Sequence, residues 1–146
     1  MPKRLREVPS PLILSDAGPL VALFNSRDLG HKWALARFEQ FVEPLVTTEA
    51  VFSETLHLLR RVPDGARRLL LLWERGWLLL AFSAELEKAA LLHLLKRYAD
   101  IPISLADASL IRLSEIHPAC QIWTLDADFR IYRRNGRQAI PLLMPA

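Results

Sequence analysis

The stretch Gln121–Phe129, QIWTLDADF, climbs through apolar residues to Thr124 and then meets two aspartates one residue apart, Asp126 and Asp128. A polar turn leaving a core explains one carboxylate there. Two at the end of a buried segment suggest a second reading, one wall of a metal site. Three more acids stand in comparable places. Asp16 ends the short apolar run Pro11–Leu14, Asp107 lies three residues after Ser104, and Glu54 falls at the edge of an apolar helical face. Carboxylates sharing one cleft repel each other and cost stability unless a cation compensates. A hard divalent cation does so, and carboxylate oxygens with water are what Mg²⁺ or Mn²⁺ prefers. Such ions bind a phosphate oxygen, activate water and stabilise the leaving oxygen of a phosphodiester.

Each acid also has a plainer role. Asp107 in Ser104-Leu105-Ala106-Asp107 suits the first turn of a helix, where it complements the dipole and reciprocates a serine cap. Glu54 lies on a helix spanning Thr48–Arg61, whose apolar face is read as Val51, Phe52, Leu56, Leu58 and Leu59. Ser53, His57 and Arg60 cluster opposite, and Glu54 falls beside Val51 and Leu58. Glu49 is an ordinary first-turn acid. Spacing permits these carboxylates to converge without requiring it.

The elements that would carry them alternate in type. Leu12–Leu14 reads as a buried strand, and Gly18–Phe24 as a helix with proline in its first turn. His31–Val42 has amphipathic helical spacing. Pro44–Thr47 is a brief strand, and Thr48 caps the Glu54 helix. Pro63-Asp64-Gly65 interrupts the chain before a helix Ala66–Arg75. Trp77–Phe82 is the strongest candidate for a fully buried strand, and Ser83 caps a long helix through Tyr98. Ser104 opens another helix, ending near His117. Cys120–Thr124 is a strand, Phe129–Arg134 a short helix, and Ala139–Leu143 a last strand. Apolar strands alternating with amphipathic helices predict an α/β sandwich with a mostly parallel sheet. Ligands in such folds sit beyond the carboxyl ends of strands, where Asp16 and Asp126 fall.

The 146 residues suit one domain over 1–146, with 1–10 as a flexible N-terminal segment. Half the residues are hydrophobic (51%) and 24% are charged, which excludes a disordered chain. No apolar stretch reaches the ~20 residues of a membrane helix, and the basic N-terminus soon meets Asp16, unlike a signal peptide. One cysteine, Cys120, excludes an internal disulfide and suits a reducing, cytoplasmic setting. It lies on an expected buried strand, and no histidine pairs with a nucleophile. The net charge of +3 is a mild pointer to a polyanionic partner.

Taken in order, LILSDAGPLVALF, VFSETLHLL, SLADASLI and IWTLDADF resemble the PIN-domain family, and SRDLGHKWA with Asp28 and His31 is also similar to it. The resemblance runs from Leu12 to about Leu143. It implies a three-layer α/β/α sandwich and the activity of metal-dependent ribonucleases, among them the toxin half of VapBC toxin–antitoxin pairs. It further implies that Asp16, Glu54, Asp107 and Asp126 form an acidic pocket for Mg²⁺ or Mn²⁺. Asp16 and Asp126 would be principal ligands, with Glu54 and Asp107 holding a second ion or orienting water. Asp128 matches the last acid of the family's T-x-D-x-D-F ending and has two readings, an outer ligand through water or a loop former. Thr124 would orient a carboxylate or a water. The chain departs from many members at Ala17, where they carry a hydroxyl residue.

Arg130, Arg133 and Arg134 follow the acidic corner closely, with Arg137 beyond them. They read either as contacts to RNA phosphates or as a solvated basic turn. The leucine-rich helix before Trp77 reads as internal packing, a homodimer surface or a groove for a small antitoxin. Three functional readings follow: a VapC-like toxin, a solitary PIN-fold RNA-processing nuclease, and a non-catalytic RNA-binding or protein-interaction module. An aspartate-based phosphotransfer domain ranks below these, because the last lysine is Lys96, far from any late strand.

Overall fold

The computed structural model describes residues 11–146; the N-terminal segment expected over 1–10 lies outside the described residues. In chain order the elements are β1 (Leu12–Ser15), α1 (Ala17–Phe24), α2 (His31–Phe38), β2 (Leu45–Thr47), α3 (Glu49–Leu59), α4 (Gly65–Glu74) and β3 (Leu78–Leu80). There follow α5 (Lys88–Arg97), α6 (Leu105–Ile116), β4 (Cys120–Trp123), a 3-10 turn (Ala127–Arg130), β5 (Arg133–Arg134), β6 (Gln138–Ala139) and β7 (Leu142–Leu143). Five strands form a sheet in the order β3-β2-β1-β4-β7, with every pair parallel.

Strand periodicity divides the core between the two faces of this sheet. Leu14, Val46 and Ile122 pack with Leu91 and Leu94 of α5 and with Leu110 and Leu113 of α6. Leu45, Leu78 and Trp123 face the other way, onto Leu20 of α1, Ala34 of α2, Phe52 and Leu59 of α3, and Leu69 of α4. The result is the expected three-layer sandwich with a parallel centre. No helix among the described residues is long and apolar enough to cross a membrane.

Local departures from expectation have identifiable causes. The segment read as the most buried strand, Trp77–Phe82, supplies only the edge strand β3, and Leu79 is 44% exposed. An apolar run marks burial potential but does not say that a strand has neighbours on both sides. Ser83 caps a single turn, accepting from the Leu86 N–H, and α5 begins only at Lys88. Helix α2 stops at Phe38, so that Phe41 turns back edge-on to Trp123 with ring centroids 5.1 Å apart. Leu58, read as part of α3's apolar face, is exposed, while Thr55 is buried with its hydroxyl on the Val51 carbonyl. The helix expected over Phe129–Arg134 is instead the 3-10 turn followed by β5. Asn135 and Gly136, with φ of 52° and 85°, make the tight turn that pairs β5 antiparallel to β6.

Candidate active site

The chain runs from β1 to β2 and β3 on one side of the sheet, then returns to β4 and β7 on the other. The strand order therefore reverses between β1 and β4, the point at whose carboxyl ends such sheets place their ligands. The register pairs Ser15 with Trp123, so the residues just beyond both strands, Asp16 and Thr124, lie side by side.

Asp16 caps α1: its Oδ1 accepts the Ala17 N–H at 2.9 Å, and its Oδ2 accepts the Thr124 hydroxyl at 2.7 Å. Thr124 Oγ1 in turn accepts the Asp126 N–H at 3.0 Å, and Asp126 Oδ1 accepts the Asp128 N–H at 2.9 Å. A continuous hydrogen-bonded chain thus joins the two strand ends. Phe129, fully buried, anchors the 3-10 turn that follows. The corner is also packed tightly from below. A Cβ added at Gly30, which precedes α2, would come within 3.1 Å of Leu125 Cδ1.

Asp107 forms the cap expected of it. Its N–H donates to Ser104 Oγ at 3.0 Å, and its Oδ2 accepts the Ser104 N–H at 3.2 Å, a complete capping box. Its carboxylate also lies within electrostatic reach of Asp16, Glu54 and Asp126. Glu54 projects from α3 into the same field, feeling Asp107 and Asp126. Helices α3 and α6 are joined by a buried hydroxyl pair. Thr48 Oγ1 accepts the Val51 N–H and lies 2.8 Å from Ser109 Oγ, which donates to the Ala106 carbonyl. Because Ser109 spends its proton on that carbonyl, Thr48 must be the donor to Ser109. The pair ties the helix bearing Glu54 to the helix bearing Asp107.

The electrostatics follow from this crowding. Asp16 is only 7% exposed, and burial pushes its carboxyl up from 3.8 to about 6 against the opposing pull of the Thr124 and Ala17 hydrogen bonds. Burial raises Glu54 as well, reinforced by Asp107 and Asp126, and it raises Asp107 against the Ser104 bonds. No cationic side chain is among the causes acting on these three acids. Their donors are hard oxygens, without imidazole or thiolate, which suits Mg²⁺ or Mn²⁺ rather than zinc. Among the described residues no three acidic, histidine or cysteine side chains stand in ready-made ligand geometry.

Thr124 is where hydrogen bonding and charge meet. Thr124→Val keeps the side-chain shape and removes the hydroxyl from Asp16 and from the Asp126 N–H. A loss of about 1–3 kcal/mol is expected at pH 7.5, read as a lower urea midpoint; an unchanged midpoint would deny the hydroxyl this role.

The remaining sequence candidates separate. Asp128 is half-buried and opens the 3-10 turn beside Asp126. Arg130 is exposed, whereas Arg133 turns Nη1 back onto the carbonyls of Arg130, Ile131 and Tyr132. Arg134 departs from the reading as an RNA contact. It is 5% exposed, and its Nη1 donates to the Ser114 and Pro118 carbonyls at 2.9 and 3.1 Å, at the end of α6. A two-residue strand buries alternate side chains, and Arg134 is the inward one. Asp28 forms an Asx turn with the Gly30 N–H, and His31 Nδ1 meets the Ala22 carbonyl at 2.8 Å; both serve the α1–α2 connection. Sequence reasoning passed over Tyr132, whose hydroxyl donates to Asp107 Oδ2 at 3.4 Å. The only signal available was its place six residues after Asp126.

Away from the acids, Phe24, Phe38, Phe41, Leu72 and Trp77 line a groove of about 490 Å³ between α2 and α4. Trp73 and Trp77 are each 45% exposed, and Trp73 packs on Phe52 with centroids 4.8 Å apart.

Comparison with known proteins agrees with this architecture. The structure is similar to that of Mycobacterium tuberculosis VapC20, described as a toxin that cleaves the sarcin–ricin loop. The TM-score is 0.66 at 23% sequence identity, over 80% of this chain and 91% of that one. No curated protein sequence gives a match. The family model for the PIN domain matches residues 13–135, which span β1, the acidic corner and β5. The chain belongs to the PIN-domain family.

Proposed function

We propose that this protein is a metal-dependent endoribonuclease that hydrolyses RNA phosphodiester bonds, acting as the VapC-like toxin of a toxin–antitoxin pair. The observation that carries the proposal is the Asp16–Thr124–Asp126 chain at the carboxyl ends of β1 and β4, with Glu54 and Asp107 facing it from α3 and α6. A binding module has no need of mutually repelling carboxylates without a protein cation among them. The family membership and the likeness to a toxin that cleaves the sarcin–ricin loop support the same reading.

Asp16 and Asp126 would hold Mg²⁺ or Mn²⁺, with Glu54 and Asp107 completing the acidic rim; when bound, the ion supplies Lewis-acid activation of water and of a phosphate oxygen. The chain's own residues do the positioning. Thr124 fixes Asp16 Oδ2 and the Asp126 backbone together, so the two strand-end carboxylates keep one spacing. The Ser104 box holds Asp107, and the Thr48–Ser109 pair sets where Glu54 stands relative to it. The missing hydroxyl at Ala17 is not replaced by Ser15, whose Oγ donates to its neighbour's carbonyl, Asp16 O, at 3.0 Å. Arg130, exposed beside the corner, is the arginine best placed to meet a phosphate, with Arg133 behind it. The apolar strip around Trp73 and Trp77 suits a partner helix, from an antitoxin or a second copy.

The test is cleavage of a structured RNA by the purified protein with Mg²⁺ or Mn²⁺ and with EDTA. Cleavage is expected only with the divalent ion. Equal cleavage in EDTA would overturn the metal-dependent reading, and no cleavage alongside tight RNA binding would favour the non-catalytic one.

A further inference from the structure

Tyr132 is 0% exposed, and its ring packs at near right angles on Phe129 (centroids 5.3 Å, 90°) and against Tyr98 (5.1 Å, 67°). For packing alone a phenylalanine would serve. The hydroxyl instead ends at the acidic cleft, donating to Asp107 Oδ2. A buried phenol that spends its donor on a carboxylate in a candidate site calls for a functional account.

Two donors from two elements meet on that one oxygen. The Ser104 N–H reaches Asp107 Oδ2 from the cap of α6 at 3.2 Å, and Tyr132 reaches it from beyond the 3-10 turn at 3.4 Å. Both of these bonds fall on Oδ2 and neither on Oδ1. Donors on Oδ2 resist rotation of the carboxylate and leave Oδ1 for a ligand in the cleft. A capping box alone restrains Asp107 only relative to its own helix. The tyrosine restrains it relative to the segment that follows Asp126 and Asp128.

We propose that Tyr132 is a positioning residue of the acidic cleft, its hydroxyl fixing the Asp107 carboxylate relative to the Asp126 corner for a divalent cation. The proposal rests on the reading of the cleft as a cation site. A tyrosine hydroxyl is protonated at neutral pH, so Tyr132 can serve as the donor to Asp107. The bond is long for O–H···O, as site hydrogen bonds often are before a ligand closes them. Tyr98 provides the contrast. Its hydroxyl accepts the Arg133 N–H at 2.9 Å and touches no acid of the cleft.

The experiment is a titration of Mn²⁺, without RNA, into wild type, Tyr132→Phe and Tyr98→Phe, followed by electron paramagnetic resonance of the free ion. Tyr132→Phe keeps the ring packing and should weaken Mn²⁺ binding by roughly tenfold, the effect of losing a partner that orients a ligand. Its melting temperature in EDTA should stay within a few degrees of wild type. Tyr98→Phe should lower the melting temperature and leave Mn²⁺ affinity unchanged. Wild-type affinity in Tyr132→Phe would overturn the proposal while leaving the cation site intact. Equal weakening in both variants would assign the effect to a general disturbance of the segment around Arg133 rather than to the bond on Asp107, and also overturn it. If wild type itself takes up no Mn²⁺ at millimolar concentration, the cation reading falls and this inference with it.

Discussion

Asp16→Asn is expected to lower RNA cleavage by at least ~100-fold while making the metal-free protein harder to melt at pH 7.5. The first effect follows from removing a principal carboxylate, which should cost more than the ~10–100-fold typical of losing a residue that merely supports a ligand. The second follows from the sign of the perturbation. Burial raises the Asp16 carboxyl from 3.8 to about 6, so the folded state binds its proton more tightly than the unfolded chain. The associated stability is fully present below about 3.8 and is lost as pH rises through about 6. At 1.36 kcal/mol per pKa unit the loss above that window is on the order of 3 kcal/mol. Asparagine never ionises, and its oxygen can still accept the Ala17 N–H while its amide donates to Thr124 Oγ1. Melting curves in EDTA should therefore separate at pH 7.5, with the variant higher, and close together near pH 4. Saturating Mn²⁺ should narrow the gap at pH 7.5 by stabilising the wild type. A variant that melts lower than wild type at pH 7.5 would remove the buried charge as the dominant effect.

Asp16 and Asp126 were legible in the sequence because strand geometry is local. Short apolar runs that end in an acid place that acid at a strand's carboxyl end, and the alternation of elements makes the strands parallel. Asp107 was legible because a serine three residues earlier marks a helix start, although spacing could not say whether it served the cap, the cleft or both. What was lost depends on three dimensions. Leu58 is exposed, against its reading as an apolar-face residue, because α3 packs on both clusters, sending Val51 to one and Phe52 and Leu59 to the other, so its buried face is not one apolar stripe. The run Trp77–Phe82 is apolar yet partnered on one side only, and edge position leaves no mark in composition. Tyr132 could not be found by pattern, since only the turn after Asp128 brings its hydroxyl to Asp107.

Arg134 is where the same limit produces the second large effect. Four arginines near an acidic corner suggest one basic surface, but burial divides them. Arg134 lies inside, donating to the Ser114 carbonyl in the last turn of α6 and to the Pro118 carbonyl just beyond it, and so closes the β5 hairpin onto that helix end. Helix carbonyls at a C-terminus lack intrahelical partners, so a guanidinium there satisfies groups that would otherwise be orphaned. Arg134→Ala removes both bonds and leaves the long side chain's space empty. The expected cost is about 2–4 kcal/mol, or a fall in melting temperature on the order of 10 °C for a chain of this length. Below the variant's melting transition, RNA affinity and its salt dependence should match wild type. Arg130→Ala should do the reverse, leaving the melting temperature within a few degrees and lowering the salt slope of RNA binding by about one phosphate contact. If Arg134→Ala instead melts like wild type and weakens RNA binding, the buried guanidinium is not what braces α6, and the basic-surface reading returns.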